Sequence, residues 1–116
     1  MSNPSVQDWI KNQVTTNDVV LFMKGTKDFP QCGFSNRVAQ ILNFLGVEYK
    51  DINVLADQNI REGIKVYTNW PTIPQLYVKG EFVGGADIVN EMFESGDLQS
   101  YLTEKGIATN KTHAVA

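Results

Sequence analysis

The chemistry of this 116-residue chain centres on its single cysteine, Cys32. Cys32 directly precedes a stretch in which apolar residues recur at the 3.6-residue period of a helix. Backbone N–H groups and the helix dipole at such an N-terminus favour the thiolate, and Lys24, on the loop before it, adds positive charge. A thiolate is both a nucleophile and a metal ligand. The position therefore predicts thiol exchange or metal ligation; the alternative is an inert buried thiol.

The residue three positions after Cys32 limits its redox chemistry. The sequence CGFS at 32–35 has the form C-x-x-C with the second cysteine replaced by Ser35. A hydroxyl cannot resolve a mixed disulfide, so an intramolecular two-thiol cycle is excluded. Exchange with an external thiol and metal ligation remain. With one cysteine and one remote histidine, His113, the chain cannot supply a four-ligand metal site of its own.

Composition favours one folded domain in a reducing compartment. We expect a domain over residues 1–108 and a flexible tail over 109–116, since the length suits one core. The net charge of −3 and the absence of a basic run argue against nucleic acid as a partner. No apolar run reaches the roughly 18–20 residues of a membrane span, and no signal pattern precedes the domain. A lone thiol fits a reducing environment, so we expect a cytoplasmic protein.

Alternating helical and extended patterns predict the elements that position Cys32. Val6, Ile10 and Val14 indicate a first helix, with Ser5 as its N-cap. In chain order there follow a buried strand over 19–23, a helix over 34–45 ended by Gly46, a strand over 47–54, a helix opening near Asp57, strands over 75–78 and 82–83 joined by a tight turn, and two further helices around 88–93 and 98–102. A βαβ crossover followed by a hairpin predicts an α/β, thioredoxin-like fold, with a four-stranded mixed sheet flanked by helices.

Four short motifs carry a family resemblance. They are MKGT at 23–26, CGFS at 32–35, WPTIPQL at 70–76 and GGAD at 84–87. With these motifs in order between about residue 5 and about residue 104, the chain resembles the monothiol, CGFS-type glutaredoxins in their short, single-domain form. Some members carry a second cysteine where this chain has Ala86. The intramolecular disulfide chemistry of those members is therefore not implied here.

The resemblance implies a glutathione groove. Its members would be Lys24 and Arg61 for the carboxylates, the backbone of Ile73 for the cysteinyl part, and Ala86 and Asp87 for the γ-glutamyl end. Family members carry a cis peptide bond before the proline at position 74. Each residue also has a simpler interpretation: judged singly, Lys24 and Arg61 fit solvated surface charges better than ligand-binding groups, Asp87 fits a helix N-cap, and the Trp-Pro pair at 70–71 fits a loop anchor.

The resemblance also implies a function in iron–sulfur chemistry. A [2Fe–2S] cluster takes four thiolates, which Cys32 and one glutathione from each of two chains would supply. The implied cofactors are therefore glutathione and the cluster, and the implied partners are a second copy when cluster-bound, BolA-like proteins and iron–sulfur acceptor proteins. The alternative is a glutathione-dependent thiol–disulfide oxidoreductase acting through Cys32, with at most weak activity. A third possibility is a binding module that regulates iron-responsive partners without cluster transfer.

Overall fold

Helices and strands alternate along the chain in the order that the sequence predicts. The computed structural model describes residues 4–109. Its elements are α1 (Pro4–Thr16), β1 (Val19–Met23), α2 (Gly33–Leu45), β2 (Lys50–Asn53), α3 (Gln58–Thr68), β3 (Gln75–Val78), β4 (Glu81–Gly84), α4 (Ala86–Ser95) and α5 (Asp97–Glu104).

The four strands form one mixed sheet in the order β2-β1-β3-β4. β1 pairs in parallel with β2 and antiparallel with β3, and β3 pairs antiparallel with β4 through the hairpin. β1 is therefore an inner strand, and all five of its residues are buried. The predicted thioredoxin-like fold, with a mixed four-stranded sheet flanked by helices, is confirmed.

Alternate residues of β1 enter two separate cores on opposite faces of the sheet. Leu21 and Met23 pack with α2, α4 and α5 in one core, and Val20 and Phe22 pack with α1 and α3 in the other. Because side chains alternate across a strand, this apolar run requires helices on both faces. The end of β1 is thereby held rigidly, and the loop that leads to Cys32 begins directly after it.

The start of the first helix and the extent of the second strand differ from the prediction. The first helix begins at Pro4, so Ser5 lies inside it and is not its N-cap. A proline suits the first helical position because its missing N–H would be unpaired there. The second strand is shorter than 47–54, because the backbone N–H of Val47 donates to the carbonyl of Leu42 (3.0 Å) and caps α2 instead of joining the sheet. Thr109, the first residue of the predicted tail, is buried, and residues 110–116 lie outside the described part.

Candidate functional site

Cys32 is the N-cap of α2. Its backbone is extended (φ −151°, ψ 136°), and its carbonyl accepts the N–H of Asn36 at 2.9 Å, which closes the first helical turn. Although its side chain makes no capping hydrogen bond, it lies where the first turn directs its N–H groups. Burial raises the pKa of the Cys32 thiol, but the N–H groups of Ser35 and Phe34 and the charge of Lys24 outweigh it, so the pKa lies below its ordinary value. The predicted placement at a helix N-terminus is confirmed.

Ser35, in the first turn of α2, forms a hydrogen bond with the loop that precedes Cys32. Its side chain is fully buried, and its hydroxyl oxygen accepts the backbone N–H of Lys24 at 3.0 Å. The same hydroxyl helps to lower the pKa of Cys32. Reasoning from the sequence assigned Ser35 only the loss of a second thiol. The structure adds a positioning contact between two residues of the site.

A groove of about 380 Å³ lies against the thiol. All of the site residues predicted from the sequence line it: Lys24, Cys32, Arg61, Ile73, Ala86 and Asp87. They come from the loop after β1, the start of α2, the middle of α3, the loop before β3 and the start of α4. The fold therefore brings together residues that are up to 63 positions apart, from 24 to 87.

Three cations line the groove. Lys24 and Arg61 are half-buried, and neither forms an ion pair with another residue of the described range. Lys65, which the sequence analysis did not single out, also lines it and lies 3.9 Å from the carboxylate of Glu62. Its spacing of four from Arg61 places both on one side of α3, which is a signal that the sequence already contained. The fold therefore places three cations around one groove.

The segment 70–74 forms one wall of the groove. The Ile73–Pro74 peptide bond is cis, as the resemblance implied. Gln75 is fully buried, and its side-chain amide donates to the carbonyls of Trp70 (3.1 Å) and Thr72 (3.2 Å), which ties the wall to the start of β3. The Trp70 ring packs 5.9 Å from that of Phe82, so its interpretation as a loop anchor is confirmed, although it also lines the groove.

The opposite end of the groove is the N-terminus of α4. Gly85 is the N-cap of this helix, and Asp87 is an exposed residue of its first turn. The alternative in which Asp87 caps the helix is therefore wrong. A Cβ atom at Gly85 would lie 3.3 Å from Nε1 of Trp70 and 3.4 Å from the carbonyl oxygen of Pro74. The glycine thus lets the start of α4 pack closely against the wall and leaves Asp87 at the rim of the groove.

The groove contains one thiol and no self-contained metal site. Within residues 4–109, no group of three or more His, Cys, Asp or Glu side chains is placed to hold a metal ion. His113 lies outside the described residues. None of the helices in the described range has the length and apolar character that a membrane crossing requires.

Known proteins resemble this chain in sequence and in fold. A family model described as glutaredoxin matches residues 19–83. A Synechocystis protein named as an uncharacterized monothiol glutaredoxin, ycf64-like, is 59% identical over 100 residues, which span 86% of this chain and 94% of that protein. The solution structure of a monomeric truncated mutant of 1-C-Grx1 from Trypanosoma brucei is 45% identical, with a TM-score of 0.83, over 90% of this chain and 94% of that one. A crystal structure of a buckwheat glutaredoxin–glutathione complex is 28% identical, with a TM-score of 0.77, over 88% of this chain and 91% of that one.

Proposed function

Because the chain belongs to the monothiol glutaredoxin family, we propose that it binds glutathione in the groove beside Cys32 and carries a [2Fe–2S] cluster between proteins. The observation that carries the proposal is the placement of Lys24 and Arg61. Both cations are half-buried, have no ion-pair partner among residues 4–109, and line the same groove as the only thiol. A ligand with two carboxylates and a thiol of its own fits this arrangement.

In the proposed binding mode, each part of glutathione has a partner in the groove. Its carboxylates pair with Lys24 and Arg61. The guanidinium of Arg61 can form a bidentate hydrogen bond, and the ammonium of Lys24 acts as a point charge. The backbone of Ile73 pairs with the extended cysteinyl part in the manner of an added strand. At the start of α4, Ala86 and Asp87 contact the γ-glutamyl end, and the carboxylate of Asp87 faces its ammonium. A buckwheat glutaredoxin of similar fold forms a complex with glutathione, which supports glutathione as the ligand of this chain.

The number of available thiolates determines how a cluster is held. Cys32 supplies one thiolate, its side chain is only partly buried, and the described residues supply no second one. Four thiolates then require two chains and two glutathione molecules. The cluster is the cargo of this arrangement, and it is held partly by a ligand that dissociates. A protein that binds its cluster in this way is suited to transferring it to another protein.

The assembly and its location follow from the proposed chemistry and from the family resemblance. We propose a homodimer when the cluster is bound, heterodimers with BolA-like proteins, and transfer to iron–sulfur acceptor proteins. The described surface adds one supporting feature, because Phe34, two residues after Cys32, is 64% exposed beside the groove. An exposed aromatic side chain at this rim is the kind of residue that protein interfaces bury. The cytoplasmic location stays a prediction.

A second candidate is a glutathione-dependent oxidoreductase, favoured by the lowered pKa of Cys32. The Cys32 thiolate would attack the glutathione sulfur of a protein–glutathione mixed disulfide, and the protein thiol would leave as its thiolate. A second glutathione thiolate would then attack the mixed disulfide on Cys32, release glutathione disulfide and restore the Cys32 thiolate. Each step breaks one S–S bond and forms one, so neither needs another oxidant.

Anaerobic reconstitution with iron, sulfide and glutathione tests the proposal. We expect visible cluster absorbance, iron close to one atom per chain, and transfer to an apo-acceptor in a mixed incubation. A parallel turnover assay with a glutathione mixed disulfide tests the second candidate. Rapid turnover without cluster binding would replace the proposal with that candidate, and stable cluster binding without transfer would favour the regulatory binding module.

A further inference from the structure

The loop from residue 24 to residue 31, here the thiol loop, connects β1 to Cys32 and folds back on itself. Gly25 and Pro30 form an antiparallel bridge, and the N–H of Gln31 donates to the carbonyl of Lys24 at 2.9 Å. Gly25 has φ +91°, and a Cβ atom there would lie 2.5 Å from the carbonyl oxygen of Phe29 and 2.6 Å from the nitrogen of Gln31. Backbone contacts this close leave no room for a side chain. The thiol loop is thus tightly closed next to Lys24.

Asn53, the last residue of β2, forms a side-chain hydrogen bond with the start of the thiol loop. Its side-chain carbonyl oxygen accepts two backbone N–H groups, those of Gly25 and Leu55, both at 2.9 Å. In the parallel pairing Asn53 is the partner of Met23, the last residue of β1. Its side chain therefore supplies an acceptor at the point where the thiol loop leaves the sheet.

These contacts converge on the backbone of Lys24. Its N–H donates to Ser35 on α2, its carbonyl accepts from Gln31, and the next N–H donates to Asn53 on β2. Lys24 is the groove cation that also acts electrostatically on Cys32. We propose that Asn53 is a positioning residue that holds Lys24 at the groove, where its charge acts on both the thiol and the bound ligand. The role in ligand binding rests on the proposed function, but the effect on Cys32 does not.

Two alkylating reagents of different charge test the position of Lys24 directly. Iodoacetate is an anion and iodoacetamide is neutral, so the ratio of their rates with Cys32 at one pH reports local positive charge, because the thiolate fraction cancels. We expect Asn53→Leu to lower this ratio by about two- to fivefold, as for one charge moved out of contact near water. Lys24→Ala should lower it similarly, and the double variant should show no further loss, since Asn53 acts through Lys24.

Chemical-shift titration of the full apo chain with reduced glutathione gives the second measurement. Asn53→Leu should weaken binding by about three- to tenfold, and again the double variant with Lys24→Ala should lose no more than Lys24→Ala alone. Tyr101→Phe is the matched control, because it removes a 3.1 Å side-chain hydrogen bond to Glu81 away from the groove. This control should leave both the rate ratio and glutathione binding unchanged.

The outcomes separate the two proposals. A folded Asn53→Leu variant with the wild-type rate ratio overturns the positioning role, as does Lys24→Ala with an unchanged ratio or a fully additive double variant. If Asn53→Leu does not fold, Asn53→Ser takes its place, because a hydroxyl is too short to reach both N–H groups and the side chain stays polar. Failure of wild-type protein to bind glutathione overturns the proposed function, while the rate ratio still decides the role of Asn53.

Discussion

Replacement of Arg61 by alanine removes the only guanidinium of the proposed glutathione groove. Arg61 lies in the middle of α3, is half-buried, and forms no ion pair with another residue of the described range. Its loss therefore breaks no ion pair and empties no core position. We expect Arg61→Ala to fold normally and to fail in ligand binding.

The expected loss of affinity follows from the environment of the guanidinium. A hydrogen bond to a charged group is worth roughly 1.5–3 kcal/mol, which corresponds to about 10- to 100-fold in a binding constant. Water competes for a side chain that is only half-buried, so the lower end applies. Lys65, one turn later on the same groove, can also attract the carboxylate. We therefore expect about tenfold weaker glutathione binding and correspondingly faster cluster loss at low glutathione.

The measurement is the half-life of the reconstituted cluster at several glutathione concentrations. Excess glutathione should rescue Arg61→Ala, because the defect is one of binding. Arg37→Ala is the matched control: it removes the same charge from an exposed arginine that contacts Asn90 (2.7 Å) and Glu94 (4.0 Å) and does not line the groove. If Arg61→Ala keeps its cluster as long as Arg37→Ala does at low glutathione, Arg61 is a plain surface charge and the assigned groove is wrong.

Further predictions concern the thiol, the assembly and the α4 end. Cys32→Ser should abolish the visible absorbance of the reconstituted cluster, whereas Ser35→Ala should retain most of it; normal iron content in Cys32→Ser would contradict the ligand assignment. The loaded protein should sediment as a dimer and return to monomer on chelation, so a tight apo dimer unchanged on loading would argue against a bridged cluster. Because Lys24 and Ser35 both lower the pKa of Cys32, Lys24→Ala and Ser35→Ala should each move the pH profile of iodoacetamide alkylation to higher pH; coincident profiles would exclude both effects. Asp87→Ala should weaken glutathione binding without the stability loss of about 1 kcal/mol that a lost N-cap brings, which thermal unfolding checks.

Patterns with a single physical solution were predictable from the sequence. The run of five apolar residues in β1 requires cover on both faces, and the structure has helices on both. The predicted end of α2 at Gly46 is confirmed by its left-handed backbone (φ 73°), which a glycine adopts without strain. The predicted start of α3 at Asp57 is confirmed by its side chain, which accepts the N–H of Asn59 at 2.9 Å. Local rules suffice for such positions.

Positions decided by contacts between distant segments were not predictable in the same way. The spacing of Lys65 from Arg61 indicates only that both lie on one side of α3, and the position of α3 relative to Cys32 decides that this side lines the groove. Asn53 lies inside the strand predicted over 47–54, but its contact with the thiol loop depends on the parallel pairing that places it beside the end of β1. Asp87 follows two glycines as an N-cap would, yet Gly85 is the N-cap and the helix begins at Ala86.

Ser35 does more at this site than replace a second thiol, because its hydroxyl also makes a hydrogen bond. A hydroxyl oxygen is a good acceptor, and here it takes the N–H of Lys24 at 3.0 Å inside a fully buried position. Sulfur is a weak acceptor, so a cysteine at position 35 would satisfy the N–H of Lys24 poorly. The serine therefore excludes intramolecular resolution of a disulfide and, through the same atom, holds Lys24 at the groove. Resolution of a mixed disulfide on Cys32 then requires an external thiol; in the proposed function this thiol is glutathione, and Lys24 binds one of its carboxylates.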